Sequence, residues 1–151
     1  MNYQSIRSIF ETKLKTAYGS LTPAIPVFFD NYSNAMSDAI DEFINVNIQF
    51  VETTQSSLTQ SFDEVKGIVV VRAFSEKGKG PSRNQVLINT SFDVIETING
   101  TGKPNSGVYV RTGVINGPTF QVDRPYFISR LETNFQATVI SWIFVVIHAI
   151  L

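Results

Sequence analysis

The chain contains no cysteine and a single histidine, His148. Disulfides and thiolate metal sites are therefore excluded. The one imidazole lies in an apolar terminal stretch, so His-based zinc clusters and catalytic triads are not available. Bases are missing from a long segment: between Thr16 and Val65 there is no Lys or Arg, while Asp30, Asp38, Asp41, Glu42, Glu52, Asp63 and Glu64 are all acidic. No apolar run reaches the roughly 18 to 20 residues that span a bilayer. The N-terminus shows no basic region followed by an apolar run, so no signal peptide is expected and a cytosolic product is.

What remains is a chain of 151 residues, 43% apolar, with a formal net charge of −1. That length and apolar fraction suit one domain with an ordinary core. The net charge gives no global pull toward nucleic acid. Its distribution says more. From Lys66 to Arg83 the bases Lys66, Arg72, Lys77, Lys79 and Arg83 face one acid, Glu76. This contrast reads either as ordinary solvated surface or as the acidic edge of one copy meeting the basic loop of another. The second arrangement is head-to-tail, the type that closes rings.

The organising stretch is Lys66 to Gly100. Gly67 to Ser75 reads as a strand apolar on both faces, with Ile68, Val70 and Phe74 on one and Val69, Val71 and Ala73 on the other. Such a strand is expected to be central and covered on both sides. Arg72 snorkels out near its end. Glu76 to Pro81 turns the chain through Gly78 and Gly80. Ser82 is the expected N-cap, with Gln85 at capping-box spacing. Leu87, Ile88, Ser91, Phe92, Ile95 and Ile98 then follow a helical period, and Asn99-Gly100 stops the helix.

Ahead of this unit, Gln4 to Tyr18 is an amphipathic helix with Ile6, Ile9, Phe10, Leu14 and Ala17 in one stripe. Gly19 ends it, Leu21 to Pro26 links onward, and Val27-Phe28-Phe29 is a short strand. Asn31 to Asp41 is a polar loop. Phe43 to Glu52 alternates, with Ile44, Val46, Ile48 and Phe50 toward the core. Thr53 to Ser61 connects this strand to the central one, as a long hairpin with a polar tip.

After the second helix, Val108 to Ile115 reads as a strand, Asn116-Gly117 as a type I′ turn and Thr119 to Val122 as the return strand. Pro118 assigns that return to a sheet edge. Tyr126 to Val139 alternates throughout, with Phe127, Leu131, Phe135, Ala137 and Val139 on one face. The order predicts an α+β fold, a mostly antiparallel twisted sheet with two main helices packed on it. Residues 1–140 form this single domain, and 141–151 are an apolar C-terminal tail. The tail admits three readings: a final core element, an oligomer contact through Trp142, Phe144 and Ile147, or a membrane attachment. The last lacks a basic flank or stop-transfer pattern, so no membrane partner is expected.

Candidate chemistry is thin. Gly78-Lys79-Gly80 before a helix could hold an anion on backbone N–H groups, but the P-loop spacing is absent. Asp38, Asp41 and Glu42 lack the order of an EF-hand loop. Asp93 and Glu96 read as solubilising charge. We expect no enzyme, no cofactor and no metal. Arg72, Lys77, Lys79 and Arg83 offer one monomer few phosphate contacts, and no aromatics interleave with them.

Four features together resemble the tail terminator (tail completion) proteins of long-tailed bacteriophages. They are the Ile6–Leu14 helix followed by Pro23, Pro26 and Val27-Phe28-Phe29; the alternation Ile44-x-Val46-x-Ile48-x-Phe50; Gly67-Ile-Val-Val-Val-Arg72-Ala73-Phe74 with its Gly-containing loop and the Arg83–Ile98 helix; and the closing Phe135-Gln136-Ala137-Thr138-Val139. The resemblance spans residues 4–140. It implies a virion protein of the tail or neck, assembled in the host cytoplasm as a hexameric ring. Such a ring caps the tail tube, stops its polymerisation and docks head-completion or neck proteins. Double-stranded DNA passes through its lumen without sequence-specific binding. The subunit contacts are then expected at Asp38, Asp41, Glu42, Arg72, Lys77, Lys79 and Arg83, and in the tail at Trp142, Phe144 and Ile147. Another neck or tail-tube protein of the head–tail joint, or a monomeric anion-binding module, is the alternative. The polar stretch 31–41, the long 126–139 strand and the tail depart from the family pattern.

Overall fold

The computed structural model describes residues 3–21, 24–30, 42–55, 62–76, 78, 81–100, 108–123 and 126–140. The elements run α1 (Tyr3–Gly19), β1 (Val27–Phe28), β2 (Phe43–Gln55), β3 (Phe62–Glu76), α2 (Ser82–Gly100), β4 (Val108–Asp123) and β5 (Tyr126–Ile140). The fold is α+β, as the order of patterns predicts.

One five-stranded sheet, in the order β1-β2-β3-β5-β4, carries both helices on the same face. Apart from the short parallel β1–β2 contact, every pairing is antiparallel. Paired residues of an antiparallel ladder point to the same side. The register therefore sorts the strands into two faces. Ile44, Val46 and Ile48 of β2, Val65, Val69, Val71 and Ala73 of β3, and Leu131, Phe135 and Ala137 of β5 form the helix side and are buried. Ile6, Phe10 and Leu14 of α1 and Leu87, Ile95 and Ile98 of α2 close over them. Each fully buried side chain of this size stabilises the fold by roughly 1.5–3 kcal/mol.

The long strand β3 passes through the middle of the sheet, but it is covered differently from expectation. Among the described residues both helices lie on one side. On the open side Ile68, Val70 and Phe74 alternate with Lys66 and Arg72. Val70 is buried there with Asn47 and Glu132 as its register partners, Ile68 is half-buried, and Phe74 joins a ring cluster in which it stacks on Phe43 at 4.3 Å and meets Tyr126 edge-on at 5.7 Å. A run apolar on both faces can thus be satisfied by side chains of its own sheet.

Gly67 is required by packing. Its register partner is Phe135, and a Cβ there would lie 2.5 Å from the Phe135 ring and 2.4 Å from the Gln49 carbonyl oxygen. The ring leans over the bare Cα and reaches Phe10 at 5.1 Å, joining α1 to the sheet.

Two local expectations are overturned. Asn116-Gly117 is not a hairpin turn. β4 runs through it as one strand, pairing Val108–Thr112 with Phe135–Val139 and Thr119–Asp123 with Tyr126–Arg130. The long β5 offers partners to both halves, and folding β4 back on itself would leave half of that ladder unmade. The intervening residues are absorbed as irregularities between Thr112 and Ile115 and between Asn116 and Thr119. Gly117 takes φ +107°, and the Gly117–Pro118 bond is cis. Pro118 does lie on an edge strand, as expected.

Nor is Ser82 the cap of α2. The Gln85 N–H bonds to the Pro81 carbonyl, so the first turn begins one residue earlier. Side chains anchor it instead. The buried Asn84 amide nitrogen lies 2.9 Å from each of the Ala73 and Phe127 carbonyl oxygens and Ser75 Oγ, which share its two hydrogens. The hairpin β2–β3 is as expected, with strands longer at their far ends than the alternation suggests.

Candidate functional site

Of the residues singled out by sequence, Asp38, Asp41, Lys77, Lys79, Trp142, Phe144 and Ile147 lie outside the described residues. Glu42, Arg72 and Arg83 are described. Arg83 at the start of α2 donates to both oxygens of Glu42, at 3.0 to 3.2 Å, just before β2. The acidic stretch and the basic segment therefore meet here within one chain. The hydrogen bond with Glu42 pushes the Arg83 pKa further up, against a smaller opposing effect of burial. Arg72 sits half-buried on the open face and donates to Asn47 Oδ1 at 3.0 Å. Its register partner Arg130 is neutralised by Glu132 at 3.1 Å.

The two edges of the sheet are finished unlike one another. At the β2 edge, β1 pairs with Ile44 and Asn45 only. Beyond it, Asp30 accepts the Ile48 N–H at 2.7 Å, and Arg7 reaches the Ile48 carbonyl at 3.3 Å. Burial would raise the Asp30 pKa. The hydrogen bonds from Arg7, the Ile48 N–H and Asn47 outweigh it and hold the carboxyl below its ordinary value. Past a bulge at Val51, residues 51–55 of β2 are exposed and carry no strand on their outer side among the described residues. The Tyr3 hydroxyl bonds to Thr53 Oγ1 at 2.6 Å, propping this free end from α1.

The β4 edge is open along its length among the described residues. It also carries large exposed apolar side chains: Val114 is 77% exposed, Val122 55% and Phe120 47%. Val114 sits in the irregularity after Thr112. An open edge with such side chains is the kind of surface that soluble proteins normally cover or pair.

The register connects the two edges. Glu52 pairs with Lys66, Lys66 with Gln136 and Gln136 with Arg111. These four side chains form one row across the open face. A groove of about 440 Å³ lies along it, lined by Val51, Lys66, Ile68, Arg111, Asn134 and Gln136. Glu52 and Lys66 are of opposite charge on adjacent strands. Arg111, at the far end of the row, is exposed and makes no side-chain hydrogen bond or ion pair among the described residues.

Sequence reasoning missed Glu52 and Arg111. Alternation alone could place both on the open face. Only the register shows that they stand level at opposite edges.

Among the described residues no three His, Asp or Glu side chains gather as a metal site, and no helix is long and apolar enough to cross a membrane. No family model and no curated protein matches the chain. Solved structures do match. One of them, a protein whose name states no function, is 19% identical with a TM-score of 0.70, over 91% of this chain and 96% of that one. At this identity the likeness shows a shared fold spanning nearly the whole of both chains.

Proposed function

We propose that this chain is a structural virion protein: a tail terminator whose copies form a hexameric ring on the end of a phage tail tube. The ring buries the tube's growing end, so no further tube subunit adds. Its outer face then docks head-completion or neck proteins, and DNA passes through the lumen without sequence-specific contacts. The action is steric and interfacial, so it requires no catalytic residue, cofactor or metal.

The order of elements that resembles the terminator family supports this reading. The observation that carries it is the pair of unlike sheet edges left open among the described residues, one polar at residues 52–55 and one carrying the exposed Val114, Phe120 and Val122 of β4. A chain with two different sticky edges assembles head-to-tail, and such contacts close into rings when the rotation allows.

The functional test is the particle made without this chain. Tails should overrun their normal length and fail to join heads. Tails of normal length joined to full heads would overturn the proposal.

A further inference from the structure

We infer that the ring is closed by strand pairing, residues 108–111 of β4 in one copy lying antiparallel to residues 52–55 of β2 in the next, with Arg111 opposite Glu52. This rests on the ring reading above and names its interface. Three observations carry it.

The first is strand direction. β2, β3, β5 and β4 alternate in direction, so β4 runs opposite to β2. A neighbour placed edge-on by rotation about an axis along the strands keeps its β2 direction. It therefore meets β4 antiparallel, with both ladders able to form hydrogen bonds.

The second is level. A closed ring permits no net rise between copies. The register rows across one copy then fix which residues meet. Glu52 shares a row with Arg111, Thr53 with Val110, Thr54 with Tyr109 and Gln55 with Val108. The zero-rise pairing sets the exposed Arg111 against the Glu52 of the next copy. Across the junction the row then reads Arg111, Glu52, Lys66, one acid between two bases, with the neutral Gln136 beyond Lys66.

The third is where pairing stops. β2 bulges at Val51, and β4 is irregular directly after Thr112. Thr112 and Phe50 share a row, so both disruptions fall at one level. Two of the exposed valines, Val51 at 65% and Val114 at 77%, lie at that level. They cap the short ladder with an apolar contact between copies.

The test uses the full chain and two charge reversals, Glu52→Arg and Arg111→Glu. Like charges directly opposite each other weaken each interface roughly fivefold or more. Each variant alone should be folded by circular dichroism yet lose the assembled species in native mass spectrometry. Mixed in equal amounts, the two should reassemble as alternating copies. Every interface then sets one arginine against one glutamate, native at both positions or substituted at both. The absence of native cysteine permits a second readout. The double variant E52C/R111C should oxidise to a ladder of cross-linked copies, since cross-strand Cβ atoms stand close to disulfide distance. If wild type assembles but the mixture stays monomeric, or the cysteines do not cross-link, the strand pairing is wrong while the ring reading survives. Single variants that assemble like wild type overturn the pairing in the same way. A wild type that is strictly monomeric, with and without tail tubes, overturns both.

Discussion

Arg7 and Asp30 lie 2.8 Å apart and divide the backbone of Ile48 between them, one taking its carbonyl and the other its N–H. A helix residue and a loop residue thus complete the sheet edge that β1 is too short to cover. Removing the carboxylate in Asp30→Ala leaves the Ile48 N–H without its acceptor and should cost about 1–3 kcal/mol. Urea denaturation measures it. The folded-state pKa of Asp30 lies below the unfolded value of about 3.9. Its stabilisation is therefore fully present above that value and is lost as pH falls through the lowered one. The stability gap between wild type and Asp30→Asn should accordingly narrow in acid.

Gly67→Ala should destabilise by ~1–3 kcal/mol, because the new methyl meets the Phe135 ring and the Gln49 carbonyl. In a Phe135→Leu background the added cost should shrink without vanishing, since the carbonyl stays. Thermal melts of the four proteins in this cycle give the coupling. Equal costs in both backgrounds would show that the ring is not the obstacle.

The buried Tyr18 hydroxyl donates to the Leu87 carbonyl at 2.6 Å and accepts from Ser91. Tyr18→Phe should cost about 1–2 kcal/mol, much of it from stranding Ser91. Burial pushes the phenol pKa up, against the lowering effect of Ser91. The unfolded phenol ionises near its usual value of about 10, whereas the folded one resists. Wild-type stability should therefore fall relative to Tyr18→Phe as pH rises above the unfolded value. Unfolding midpoints across alkaline buffers test this.

Arg83→Ala breaks a half-exposed pair with Glu42 and should change stability by no more than about 1 kcal/mol, less in high salt. Because that pair is made inside one chain, assembly should survive the substitution. Loss of the oligomer in native mass spectrometry would show that Arg83 also serves the interface.

The hydrophobic alternation of Ile44–Phe50 and Phe127–Val139 and the helical stripe Ile6–Leu14 made most of the fold legible, since each period names its own element and buried face. The β4 strand was not. Asn116-Gly117 is a strong local turn signal, and what defeats it is distant: the length of β5, which rewards a continuous partner. The capping pattern at Ser82 failed similarly, because Asn84 and Arg83 fix the helix start through contacts with β3, β5 and Glu42. The assembly surface was the least legible part. Uneven charge left solvated surface and contacts between copies both open. It could not foresee that Glu42 and Arg83 satisfy each other. Nor does any periodicity reveal that Glu52 and Arg111 occupy the same row at opposite edges.

Native mass spectrometry of the purified chain at micromolar concentration addresses the ring most directly. A single closed oligomer, six copies by the family resemblance, is the expected species, with few intermediates. A strict monomer, unchanged when tail tubes are supplied, would contradict the ring and everything built on it.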